Sequence, residues 1–98
     1  MRRRVAVTGM GLVTPVGNDL STTWEALVAG RSGAGPITRF DPARLAVRFA
    51  CEVKGFEPGR YMDKKEIRRY DLFAQFALAA ATQALADAGI PDLGGGDP

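Results

Sequence analysis

Histidine is absent from this 98-residue chain, and cysteine occurs once, at Cys51. Without histidine the usual zinc and iron constellations are excluded, and one thiol can neither close an internal disulfide nor build a multi-cysteine metal site. No metal and no cofactor are therefore expected, and the cysteine usage suits a reducing, cytoplasmic compartment. No apolar run approaches the roughly 20 residues that span a bilayer, so no membrane partner is expected. Met1-Arg-Arg-Arg followed by VAVTGMGLV has the charge of a signal peptide. Its apolar run, however, is short, broken by Thr8 and two glycines, and followed by no small-residue cleavage pattern. Charge of one sign is also scarce: 13 Lys and Arg against 11 Asp and Glu leave a net charge of +2, drawn mostly from Arg2 to Arg4 and Lys64 to Arg69. So small an excess makes no whole-surface basic field, and no nucleic-acid partner is expected.

What the chain has is apolar: 46% hydrophobic residues with 24% charged, which places it among globular rather than disordered sequences. The stretch around which the rest is read runs from Asp63 to Gly89, DKKEIRRYDLFAQFALAAATQALADAG. It reads as one long helix. Asp63 and Glu66 stand at D-x-x-E capping-box spacing, and Gly89 supplies the left-handed residue that ends it, followed by Ile90 and Pro91. From Leu72 to Ala81 only Gln75 is strongly polar. At about 100° per residue, Ile67, Tyr70, Ala74, Ala77, Ala81 and Ala88 share one face while Leu72, Phe76 and Leu78 point away from it. Such a helix needs cover on several sides, and its alanines admit close backbone approach. A chain of this length buries only about 60–65% of its unfolded surface, which points to a piece of something larger.

The start of the same helix carries Lys64, Lys65, Arg68 and Arg69 within an arc of roughly 140°. Four cations in the first two turns of a long helix oppose its macrodipole, where acidic residues would be favoured by about 0.3–1 kcal/mol each. Two readings stand side by side. One is a solvated charge run partly paired with Asp63, Glu66 and Asp71; the other is a docking surface for an anionic partner.

Ahead of that helix, Arg3 to Thr8 reads as a buried strand with Val5 and Val7 on one face. Gly9, Gly11 and Gly17 with Pro15 then turn the chain over its end. Leu20 to Ala29 reads as a short helix entered through Asn18, Asp19 or Ser21, with Thr22 and Glu25 at capping-box spacing. Its exit is Gly30, and its buried face is Trp24, Leu27 and Val28. Residues 30–36 read as a surface loop pinned by Ile37 and Phe40, and Asp41-Pro42 and Pro58-Gly59 as turns. Val47, Phe49, Cys51 and Val53 alternate with polar or small residues as in a half-buried strand, which directs Cys51 inward. DLGGGDP forms no element, and there is no internal repeat or interdomain linker.

VTGMGLVTPVG has the outline of a dinucleotide loop but not its spacing. The third glycine position after Gly9-x-Gly11 is Thr14, and the helix waits until about Leu20, so a bound pyrophosphate would lack its helix N-terminus. Gly-Lys-Ser/Thr occurs nowhere. Cys51, inside a strand and without a histidine, is read as a structural thiol rather than a nucleophile. The carboxylates Glu52, Glu57, Asp63 and Glu66 are better explained locally, by a strand edge, a turn and a helix cap, than by acid/base work.

Four phrases, RRVAVTGMGLVTPVGND, WEALVAGRSGAGPITRFD, RFACEVKGF and KKEIRRYDLFAQFALAAATQALADAGI, together resemble the N-terminal part of a β-ketoacyl-acyl carrier protein synthase of the elongating type II kind. The resemblance covers essentially all 98 residues in order. It implies an α/β, thiolase-like layered fold, of which residues 1–98 would be an incomplete N-terminal domain piece: strand, short helix, strand, long buried helix. It also implies a homodimer and a decarboxylative condensation by a cysteine and two histidines that lie downstream. No catalytic residue is expected in this chain, and Cys51 falls where relatives carry a small residue such as glycine. The resemblance further implies that Lys64, Lys65, Arg68 and Arg69 dock acyl carrier protein, with Lys65 and Arg68 the closest matches. The alternatives are a polyketide ketosynthase or chain-length-factor subunit, a stand-alone binding module, and a nucleotide-binding enzyme.

Overall fold

The structure, a computed structural model, describes residues 2–90; Pro91 and the DLGGGDP run lie outside the described residues. The chain divides into two compact units. One is Val13–Phe56, and the other joins the first twelve residues to the segment from Glu57 onward.

In Val13–Phe56, the turn Thr14–Gly17 closes with Thr14 N–H donating to the Gly17 carbonyl at 2.8 Å. It leads into α1, Leu20–Val28. Of the three candidate caps, Asp19 holds the position, its carboxylate accepting from Thr22 N–H at 2.8 Å. Thr22 thus lies inside the helix and forms no capping box with Glu25. Gly30, at φ +71°, ends α1 in a Schellman motif: Arg31 N–H donates to the Ala26 carbonyl and Gly30 N–H to that of Leu27.

The buried face of α1 is not the expected one. Thr23 and Ala26 are buried, whereas Trp24 is 64% exposed and Leu27 and Val28 are also exposed. What packs there is backbone: a Cβ on Gly17 would lie 2.6 Å from Thr23 N. Only small side chains fit so close, and the Thr23 hydroxyl is satisfied by the Gly17 carbonyl and the Thr14 hydroxyl.

The expected strand over 47–53 shrinks to β2, Phe49–Ala50. It pairs antiparallel with β1, Gly35–Pro36, in a stretch expected to be loop only. Pro36 is tolerated there because it sits on an edge. Val47, Phe49 and Cys51 are exposed, so the inward placement of Cys51 is corrected, and Phe40, 57% exposed, is not buried either. A two-stranded ribbon has no second layer against which an alternating face could be buried.

In the other unit, residues 3–8 are not a strand. Val5 is 92% and Val7 81% exposed, and the single sheet among the described residues is β1–β2, so no neighbour offers this segment a ladder. Gly9 and Gly11 were expected to turn the chain, but neither has positive φ. They are there for space. A Cβ would lie 2.4 Å from the Ala84 carbonyl oxygen at Gly9 and 2.0 Å from that of Ala80 at Gly11. The segment lies flat on the alanine-rich helix, fastened by Met10 N–H to the Asp87 carboxylate (3.0 Å) and Leu12 N–H to Gln83 Oε1 (3.1 Å).

The single helix expected from Asp63 to Gly89 is two: α2, Lys64–Arg69, and α3, Leu72–Asp87. Tyr70 and Asp71 between them are extended, with ψ of 131° and 163°. Asp71 caps α3, its carboxylate accepting from Leu72 N–H at 2.8 Å. At the far end Gly89, at φ +79°, closes a second Schellman motif as expected, with Ile90 N–H on the Leu85 carbonyl. Among the described residues the architecture is three α-helices, a short 3-10 turn at Pro58–Arg60 and one small sheet, a partial α/β assembly.

Candidate functional site

A six-residue helix is too short to stand on propensity, so α2 depends on its ends. At its start the capping box is complete: Glu66 N–H donates to the Asp63 carboxylate at 2.9 Å, and Asp63 N–H to Glu66 Oε1 at 3.1 Å. At its other end the side-chain amide of Gln75, reaching back from α3, donates to the carbonyls of Ile67 (3.2 Å) and Tyr70 (2.9 Å). Gln75 is only 6% exposed. It is the one strongly polar residue in the middle of the apolar run, and the helix break is what it serves.

Lys64, Lys65, Arg68 and Arg69 are all exposed on this helix. The carboxylates that a charge-run reading would pair with them are engaged elsewhere. Asp63 and Glu66 accept from each other's backbone N–H, and Asp71 from Leu72 N–H. Each of the i, i+4 pairs Lys64/Arg68 and Lys65/Arg69 is a like-charge pair, unfavourable by a few tenths of a kcal/mol.

The break at Tyr70 alters the dipole argument. Arg68 and Arg69 lie in the last turn of α2, where cations are favoured, and only Lys64 and Lys65 oppose the local field.

Beside the ridge runs an open, mostly apolar groove of about 540 Å³, lined by Glu66, Tyr70, Phe73, Ala74, Ala77 and Leu78. Phe73 is 75% exposed at its edge. α3 therefore offers apolar surface beyond the face covered by Gly9 and Gly11, in line with its apolar circumference.

The other residues weighed in the sequence are drawn into local structure. The Glu52 carboxylate accepts from the Thr38 hydroxyl (2.7 Å) and from the Thr38 and Arg39 N–H groups. These bonds, that of the Thr38 hydroxyl foremost, hold its pKa below the ordinary value. Glu57 sits at the start of a 3-10 turn, Pro58–Arg60. Among the described residues no cluster of three His, Cys, Asp or Glu could hold a metal, and no helix is long and apolar enough to cross a membrane.

Comparison with known proteins assigns this geometry to a family. The family described as β-ketoacyl synthase, N-terminal domain, matches residues 2–95. Among curated relatives, the chain is 51% identical over 89 residues to 3-oxoacyl-(acyl-carrier-protein) synthase 2 of Vibrio cholerae, covering 91% of this chain and 22% of that protein. It is 48% identical over 89 residues to the enzyme of the same name from Coxiella burnetii, with the same coverage, and 46% identical over 86 residues to that of Staphylococcus aureus. The chain thus spans about a fifth of the length of the curated relatives it matches. Among solved structures it is similar to the ishigamide ketosynthase/chain length factor. There the TM-score is 0.83 and the identity 44%, over 91% of this chain and 22% of that one. By sequence along nearly its whole length, and by fold, this chain belongs to the β-ketoacyl synthase family, within the family's N-terminal domain.

Proposed function

We propose that the chain is the N-terminal segment of a 3-oxoacyl-acyl-carrier-protein synthase that elongates fatty acids, with the thiolase-like layers and the second protomer of a homodimer covering its apolar faces. The observation that carries this reading is 46–51% identity to proteins of that name over about nine-tenths of the chain. The chemistry is a decarboxylative condensation of malonyl-carrier protein with an enzyme-held acyl group. It falls to residues outside this segment, since no histidine is present and Cys51 is an exposed thiol just after β2. Here the segment contributes recognition. Lys64, Lys65, Arg68 and Arg69, presented on a helix capped at one end and tied by Gln75 at the other, meet the acidic carrier protein through charge-steered contacts at the rim. Such contacts set encounter rate and specificity more than affinity.

The test is to incubate the full-length protein with acyl- and malonyl-carrier protein. Carbon dioxide and 3-oxoacyl-carrier protein should form together, whereas this segment alone should release none. No product from the full-length protein overturns the reading. A polyketide ketosynthase or chain-length-factor role is favoured by the similarity to the ishigamide ketosynthase/chain length factor. Intact-mass analysis after acyl-carrier-protein treatment separates a chain-length factor, which would carry no acyl group, from a synthase.

A further inference from the structure

Lys54 is exposed and unremarkable by pattern, yet its ammonium sits among three main-chain carbonyls from three separate stretches. Nζ donates to Pro15 O at 3.2 Å, Gly33 O at 3.0 Å and Glu52 O at 2.9 Å. A lysine ammonium has three N–H donors, and each finds an acceptor here. The same residue is held at its backbone, where its carbonyl accepts from Asn18 Nδ2 at 2.8 Å. Gly55, at φ +66°, turns the chain immediately after it.

The loops it joins already touch, since a Cβ on Gly33 would lie 2.6 Å from Pro15 Cβ. Asn18 on the Lys54 carbonyl, and Thr38 and Arg39 on the Glu52 carboxylate, tie neighbouring parts of the same stretches, but only the Lys54 ammonium meets all three at one point. β1 and β2 contribute two residue pairs, and the Thr14–Gly17 turn bonds to itself and to Thr23 of α1. Charge-assisted bonds are stronger than neutral ones, so this one side chain adds to the short ladder beside it.

We infer that Lys54 is a charge-dependent clasp that fixes the Thr14–Gly17 turn and the Gly33 loop to the segment after β2, and that its three carbonyls form an ammonium site. Replacing the ammonium by an uncharged group frees both loops and leaves a carbonyl triad able to take ammonium from solution.

Acetic anhydride footprinting of the full-length protein tests the clasp without mutation. To react, the amine must leave its carbonyls, so Lys54 should be acetylated about fivefold or more slowly than Lys64 and Lys65, which have no such cradle. Equal rates overturn the inference. In Lys54→Met, backbone hydrogen exchange over residues 13–18 and 31–37 should quicken about tenfold or more. Ammonium chloride should slow it again, and tetramethylammonium chloride at the same ionic strength should not. Exchange that stays at the parent rate, or that ammonium leaves unchanged, overturns the inference. If Lys54→Met does not fold, the footprinting result alone decides.

Discussion

The side-chain amide of Gln75 donates to the main-chain carbonyl of Tyr70 at 2.9 Å, across the break between α2 and α3. Tyr70 is the C-cap of α2, in extended backbone, so its carbonyl has no helical partner. With Ile67 O on the same amide, one buried side chain sets how the basic helix leaves the apolar one. Gln75→Leu keeps the volume and strands both carbonyls, which should cost about 1–3 kcal/mol. Gln75→Glu should be worse, because a carboxylate offers these carbonyls only more acceptors. Urea denaturation of the full-length protein measures both; a neutral Gln75→Leu would show that water serves the carbonyls equally well.

Gly9 and Gly11 lie against the backbone of α3, and backbone has little room to yield. Gly9→Ala and Gly11→Ala should each destabilise by about 1–3 kcal/mol through overpacking, with Gly11→Ala the larger because its Cβ would come closer. Gly59→Ala is the control. Its added Cβ meets nothing within 4 Å, and the change should stay within about 0.5 kcal/mol. Thermal melts give the order, which should be Gly11, Gly9, Gly59 from most to least harmful.

The ridge predicts a separation of stability from recognition. Lys65→Glu places an acidic residue in the first turn of α2, which the helix dipole favours, so the protein should be as stable as the parent or slightly more so. Its KM for carrier-protein substrates should nonetheless rise. With Arg68→Glu added, the rise should reach about 10-fold if each rim charge contributes about 0.5–1 kcal/mol. Salt should narrow the gap to the parent, since such contacts are screened within about 8–10 Å at 0.1–0.15 M. A small thioester lacking the carrier protein should react equally with both. Equal loss on both substrates would assign the ridge to folding or dimer contacts.

Glu52 predicts a pH effect in Val13–Phe56. Its folded pKa is depressed, chiefly by the Thr38 hydroxyl and N–H groups, from the ordinary 4.5. The carboxylate therefore contributes stability that is fully present above 4.5 and is lost as pH falls through the lower folded value. Carbon-detected titration of the Glu52 side chain should show a midpoint below the ordinary value. In Glu52→Gln this part of the acid sensitivity should vanish; a midpoint at or above the ordinary value would refute the role of Thr38.

The segment expressed alone should aggregate or fold only in part. Val5, Val7, Phe49 and Phe73 are large apolar residues left mostly exposed. Sharp, dispersed amide resonances from a monomer would contradict this.

The helix ends were legible in the residues themselves because caps are local chemistry: Asp63 with Glu66, and the glycines at 30 and 89, act within one turn of where they stand. The family was legible too, carried by phrases along the whole chain. Burial was not. The alternation at Val47 to Val53 and the valines at 5 and 7 describe faces that suit a neighbour, and period alone cannot say whether that neighbour is present. The break at Tyr70 was hidden for a different reason. Asp71 capping, the Gln75 amide and the apolar flanks are each compatible with a continuous helix. Tertiary structure decided between them, because only there does Gln75 reach both Ile67 and Tyr70 and give the carbonyls released by the break a partner.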